Sequence, residues 1–147
     1  MSRSIKFRAF NKEYVWGQEE DESQESPMRY QGDPDLEHIQ SFFFHIDPDD
    51  KKYTLMQYTG LKDKNDKEIY EGDIFEDEKG RIGVITQEDG AWMSMLNYSS
   101  VDGKLVQASY WEGVCLFKII KFGDVEGKVI GNIYENKELL KWIFYAN

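Results

Sequence analysis

The 147-residue chain sets 18 basic against 28 acidic side chains, a formal charge of −10 that opposes non-specific attraction to phosphate backbones and anionic membrane surfaces. Hydrophobic residues are 40% and aromatic residues 15% of the total, which removes the chain from the disordered class and lets a core form without metal or cross-link. Cys115 is the sole cysteine, so no internal disulfide is available, and no apolar run approaches the ~18 residues of a membrane-spanning helix.

The first segment, Ile5-Lys6-Phe7-Arg8-Ala9-Phe10, alternates apolar and polar residues. With the turn-forming Asn11-Lys12 and the aromatic Tyr14-Val15-Trp16 after it, it predicts a hairpin. Residues 18–26 are all polar or acidic and precede Pro27, the composition of a solvated loop. Asp33-Pro34 then supplies a cap with proline at the first helical position, and Leu36, Ile39 and Phe43 recur at helical spacing. The reading is a helix to about residue 40, then a strand over Phe42–Ile46. The Asp47-Pro48-Asp49-Asp50 turn joins that strand to another over Tyr53–Tyr58.

Turn chemistry punctuates the middle of the chain at Thr59-Gly60, Asn65-Asp66, Gly72-Asp73, Lys79-Gly80, Asp89-Gly90 and Asp102-Gly103. Such spacing suits an antiparallel barrel or meander. The segments 81–87, 91–98, 105–110 and 114–121 read as its strands. Ile82, Val84 and Thr86 share one face and Trp92, Ser94, Leu96 and Tyr98 another, so both sides of the sheet are expected to be partly covered. Lys128–Tyr134 is the last predicted strand, and Asn136 caps a terminal helix through Leu139, Leu140, Ile143 and Phe144. The fold expected is mainly β within the α+β class: a small barrel or meander of short antiparallel strands, a short helix near residues 34–40 and a C-terminal helix. It is read as one domain over 1–147, with residues 1–58 open to being an N-terminal subdomain packed on a barrel-like part, 59–147.

The segment Gln57-Tyr58-Thr59-Gly60-Leu61-Lys62-Asp63-Lys64-Asn65-Asp66-Lys67-Glu68-Ile69-Tyr70-Glu71-Gly72-Asp73-Ile74 resembles the signature block of the YopX family of phage and prophage proteins. The opening Ile5–Asn11 and the closing Val129–Asn136 are similar to that family's two ends. Asp66 stands where the family usually has glycine, and Lys137 where it usually has proline. Aspartate tolerates a left-handed turn better than most residues, and lysine is accepted at a first helical position. The resemblance implies a β-rich fold and a phage or prophage origin. It implies no activity and supplies no catalytic residues. In physical terms, Tyr58 and Ile69-Tyr70 flank a turn on Asp63–Lys67, and Gly60, Asn65, Gly72 and Asp73 are expected to be structural turn residues.

Chemical sites are mostly excluded by residue type. Asp63-x-Asn65 begins like a calcium loop, but Lys67, Glu68 and Ile74 occupy the places that need an oxygen donor, a glycine and a bidentate glutamate. Asp47, Asp49 and Asp50 read as a solvated turn. His38 and His45 have no second ligand pair for zinc. Neither a nucleophile elbow, a phosphate-cradling loop nor a dinucleotide fingerprint occurs. Cys115, within Val114-Cys115-Leu116-Phe117, reads as a small buried hydrophobe. No catalytic, cofactor-binding or metal-ligating residue is assigned, and no cofactor is expected.

Residues 104–147 carry six basic and five acidic groups, whereas residues 1–50 carry five and twelve, so only the last third can present a basic face. Four tryptophans, nine tyrosines and nine phenylalanines exceed what the core needs. Tyr110, Trp111, Lys118, Lys121, Lys128 and Trp142 are therefore the candidate contact surface. The function expected is a non-enzymatic accessory protein, cytoplasmic in a bacterial host, that binds an unknown protein partner or itself and does not engage a membrane. Nucleic-acid binding by a small barrel is the alternative, disfavoured by net charge. A carboxylate-dependent hydrolase or ion-binding protein comes third.

Overall fold

The computed structural model describes residues 5–13, 27–31, 52–101, 104–121, 123–136 and 139, with the backbone alone for 96–101 and 104–112. The chain forms two compact units, Met1–Tyr58 and Thr59–Asn147.

In the first unit, β1 (Phe7–Asn11) pairs antiparallel with β2 (Met28–Tyr30) on one side and with the first half of β3 (Tyr53–Lys62) on the other. Register sets Arg8 opposite Tyr30 and Met56, and Phe10 opposite Met28. Directly paired residues project to one side, so these side chains share a face, and Arg8, Phe10, Met28 and Met56 are all buried. The Arg8 guanidinium lies 6.0 Å from the Tyr30 ring centroid, a contact that helps hold a cation out of water. Ala9, which points the other way, is also fully buried. Tyr14–Trp16, the expected hairpin partner, lies outside the described residues, as do the strand over 42–46 and the helix over 34–40.

The second unit opens with the end of β3 beside β4 (Glu68–Tyr70). It continues as a meander of β5 (Asp73–Asp77), β6 (Arg81–Glu88), β7 (Ala91–Val101) and β8 (Lys104–Cys115). A 3-10 turn (Leu116–Ile119) follows, then the short hairpin β9 (Ile120–Lys121) and β10 (Asp124–Val125). The last strand, β11 (Gly127–Asn132), adds to β5, and the sheet order is β11-β5-β6-β7-β8, antiparallel throughout. Among the described residues this sheet is open and does not close into a barrel. Asp89 and Gly90 join β6 to β7 with φ of 50° and 80°. Such a positive-φ pair is what a type I′ hairpin turn requires, and its twist matches that of the strands.

Adjacent residues of one strand face opposite sides. Ile74 and Phe75 are both fully buried, so β5 is covered on both faces. The core on the Phe75 side consists of Ile69, Phe75, Ile85, Trp92, Leu116 and Val125, with Leu61, Ile119 and Val129 packed against it. Each such side chain contributes roughly 1.5–3 kcal/mol of burial free energy.

Several boundaries differ from those expected. The segments 105–110 and 114–121 are not two strands parted by a turn. Residues through Cys115 form one long strand, in which Ala108–Trp111 bulge opposite the single residue Asn97. Gly113 lies within this strand, and a methyl group built on it would come 2.8 Å from Met93 Cε and 3.0 Å from Met95 Sδ. Thr59-Gly60, read as a turn, lies inside β3. The last strand ends at Asn132, where Asn132 Oδ1 accepts from the N–H groups of Tyr134 and Glu135 and bends the chain away. Of the expected C-terminal helix, Leu139 alone beyond Asn136 is described. Among the described residues the 3-10 turn is the only named helical element.

Candidate functional site

Asp63 in the signature block and Asp77 three residues beyond it repeat one device. Asp63 Oδ1 accepts from the N–H groups of Asn65 (2.8 Å) and Lys67 (3.0 Å), and Asp77 Oδ1 accepts from those of Lys79 and Arg81 (both 2.9 Å). Each carboxylate thus gathers the amides two and four residues ahead, the Asx geometry that closes a tight turn. Their second oxygens reach further. Asp63 Oδ2 accepts from Val129 N at 2.8 Å, and Asp77 Oδ2 accepts from Arg81 Nε at 2.7 Å. Asp73 Oδ2 accepts from Tyr70 N at 2.8 Å.

The remaining turn residues complete this frame. Asn65 contributes its backbone N–H to Asp63, and Asp66 takes φ 64°. Gly60 takes φ 82° next to Thr59, whose hydroxyl donates to Ile69 O and accepts from Leu61 N. Gly72, at φ 83°, donates its N–H to Ile85 O and accepts from Ile133 N. Carboxylates occupied in this way by backbone donors serve as scaffold. Among the described residues, no three His, Cys, Asp or Glu side chains converge as a metal site.

A cleft of about 340 Å³ is lined by Lys64, Glu78, Lys121, Asp124, Val125 and Glu126. Lys64 pairs with Glu78 at 3.4 Å and Lys121 with Glu126 at 3.6 Å. Pairs this exposed contribute roughly 0.2–1 kcal/mol. They balance most of the cleft's charge, leaving a polar surface rather than a concentrated acidic one.

Beside it, the 3-10 turn sorts its side chains by a period of three. In such a helix residues i and i+3 eclipse one another. Leu116 and Ile119 pack inward, Leu116 fully buried. Phe117 and Ile120 remain 36% and 38% exposed, and Lys118 and Lys121 are exposed beside them. The following turn is held by a hydrogen bond from Glu126 N to Ile119 O (2.7 Å) and by cross-strand pairing of Ile120 with Val125 and Lys121 with Asp124.

Of the six contact candidates named from sequence, Lys118, Lys121 and Lys128 have described side chains. Lys118 and Lys121 sit together on the 3-10 turn and β9. Lys128 lies on β11, its Nζ 3.8 Å from Glu76 across the strand pair. Trp142 and the side chains of Tyr110 and Trp111 lie outside the described residues. Phe117 and Ile120 were missed because residues 114–121 read as a strand of period two, which separates these two residues onto opposite faces. Cys115, expected to be buried, is only partly so, because it lies on the sheet face opposite the Trp92 core.

Residues 6–141 match the family model described as YopX protein. A solved structure, the crystal structure of protein EF1440 from Enterococcus faecalis, is 25% identical over 95% of this chain and 99% of its own, with a TM-score of 0.39. No curated protein matches the chain.

Proposed function

Since the chain belongs to the YopX family, we propose that it acts as a non-enzymatic accessory protein of a phage or prophage, binding a protein partner through Phe117–Lys121. The observation that supports this reading is the outward pairing of Phe117 with Ile120 beside Lys118 and Lys121. Residues 114–121 contain no acidic side chain, although the chain as a whole is strongly acidic. Two apolar anchors beside two ammonium groups fit a partner that offers an apolar pocket with a carboxylate rim. The chain's net charge of −10 limits non-specific attachment to other acidic surfaces. The engagement of Asp63 and Asp77 by three donors each favours a scaffold role for them over carboxylate catalysis.

An exposed phenylalanine flanked by lysines also suits stacking on a single-stranded base, which makes nucleic acid the second reading. One experiment separates the two. Tagged protein and its Phe117→Ser/Ile120→Ser variant are each used to capture partners from host lysate, with and without nuclease. A protein retained after nuclease treatment by the wild type and lost by the variant supports the first reading. Capture that disappears with nuclease supports the second, and capture unchanged in the variant removes this surface from both.

A further inference from the structure

Lys118, Lys121 and Asp124 form one row along the 3-10 turn and the β9–β10 hairpin. Lys118 and Lys121 are three apart and eclipse one another. Register sets Lys121 opposite Asp124, and directly paired residues project to one side. The middle member of the row is committed within the chain, since Lys121 Nζ lies 3.6 Å from Glu126 Oε1. The two ends are not. Lys118 is exposed and Asp124 half-buried, and among the described residues neither charged group has an ion-pair or hydrogen-bond partner. The row therefore carries an uncompensated cation at one end and an uncompensated anion at the other, alongside the partly exposed Phe117 and Ile120.

A patch with opposite free charges at its two ends is complementary to itself when a second copy runs in the reverse direction, the arrangement that a two-fold axis produces. Given the reading of Phe117–Lys121 as a protein-binding surface, on which this rests, we infer that its partner is a second copy of this chain. A two-fold axis near Ile120 packs the Phe117 and Ile120 side chains of the two copies together and sets Lys118 of each beside Asp124 of the other. Lys121 brings no net charge to the axis, because Glu126 of its own chain neutralises it. The carboxylate that the surface requires beside an apolar contact is thus carried by the same hairpin. Each copy's net charge of −10 repels the other at range. The Debye length at physiological ionic strength is only about 8 Å, so groups within the patch decide the contact. A patch this small covers less than the roughly 800 Å² per partner of a stable complex, and the association is weak and reversible.

The test is sedimentation equilibrium of the purified full-length chain from micromolar to millimolar concentration, with urea midpoints verifying that each variant is folded. The wild type is expected to dimerise reversibly. Lys118→Glu and Asp124→Lys should each weaken the dimer roughly tenfold or more, because a symmetric contact counts each change twice and turns attraction into repulsion. The two single variants mixed in equal amounts should associate with each other about as well as the wild type does with itself. Mixing rescues a contact between copies, whereas an ion pair within one chain would be restored by the double variant and not by mixing. A wild type that is monomeric throughout the range would overturn the proposal, as would single variants that dimerise like the wild type or a mixture that stays monomeric. If Asp124→Lys does not fold, the Ile120 methyl signal followed by NMR decides. It should shift with concentration in the wild type, and in Lys118→Glu only at roughly tenfold higher concentration; a signal that never moves, or moves alike in both, also overturns the proposal. A monomeric wild type that still captures a lysate protein, lost by Phe117→Ser/Ile120→Ser, would overturn self-association while keeping the surface as a binding site for a different protein.

Discussion

Asp63 and Val129 stand 66 residues apart and are joined by a 2.8 Å hydrogen bond from Val129 N to Asp63 Oδ2. The same carboxylate closes its own turn through Asn65 and Lys67, and Lys64 N donates to Gly127 O at 3.0 Å. The turn at the centre of the signature block thus clamps β11, whose other edge pairs with β5. Asp63 is 1% exposed, so its replacement leaves three backbone amides, those of Asn65, Lys67 and Val129, without their charged acceptor. Asp63→Ala should destabilise the second unit by about 3 kcal/mol or more, because hydrogen bonds to a charged acceptor contribute more than neutral ones. Asp63→Asn should cost less. It can keep the two turn amides on its carbonyl oxygen while presenting an NH2 donor to the Val129 donor. The check is the urea midpoint of each variant at constant m-value.

Glycine substitutions should separate crowding from backbone strain. Gly127 has φ 136°, and a methyl group built there would meet Phe75 Cζ at 2.5 Å and Glu76 O at 2.6 Å. Gly80 has φ 76° and nothing within 4 Å of the same position. Gly80→Ala should therefore cost about 1 kcal/mol, the penalty for a side chain in the left-handed region. Gly127→Ala should cost several times more, since neither the carbonyl nor the buried ring can yield freely. Thermal unfolding of the two variants in parallel measures the difference.

Ser94 is almost fully buried, and its hydroxyl has no hydrogen-bond partner among the described residues. It faces the side of the sheet that carries Trp92 and Ile85. A buried hydroxyl without a partner costs free energy that an apolar side chain does not. Ser94→Ala is expected to leave the protein as stable or to stabilise it by about 1 kcal/mol. A loss of stability in chemical denaturation would show that the hydroxyl has a partner.

The Phe117→Ser/Ile120→Ser variant should lose roughly 1–3 kcal/mol of stability yet stay folded, because the side chains changed are only partly solvated and Leu116 and Ile119 still anchor the turn. Its effect on partner capture, measured where the variant is folded, should exceed that of a core variant. Leu116→Ala in the same turn should cost more stability, about 2–5 kcal/mol through a core cavity. Melting curves and capture assays on both variants test this separation.

The signature residues, the turn dipeptides and the alternation along the strands are local properties, and the sequence alone determined the mainly antiparallel character of the fold, the family, and hairpins such as the one at Asp89-Gly90. The partner of the Asp63 carboxylate across 66 residues, the place of Gly113 within a strand and the three-residue period of Leu116–Ile120 were decided only in three dimensions. A glycine reads as a turn until the Met93 and Met95 side chains are known to fill its space, and a run such as Leu-Phe-Lys-Ile-Ile-Lys fits period two or three until one face finds a core. In the same way, only the register of β7 with β8 sets Met93 opposite Cys115 and Met95 opposite Gly113, since side-chain neighbours across strands depend on pairing distant segments and not on the composition of either.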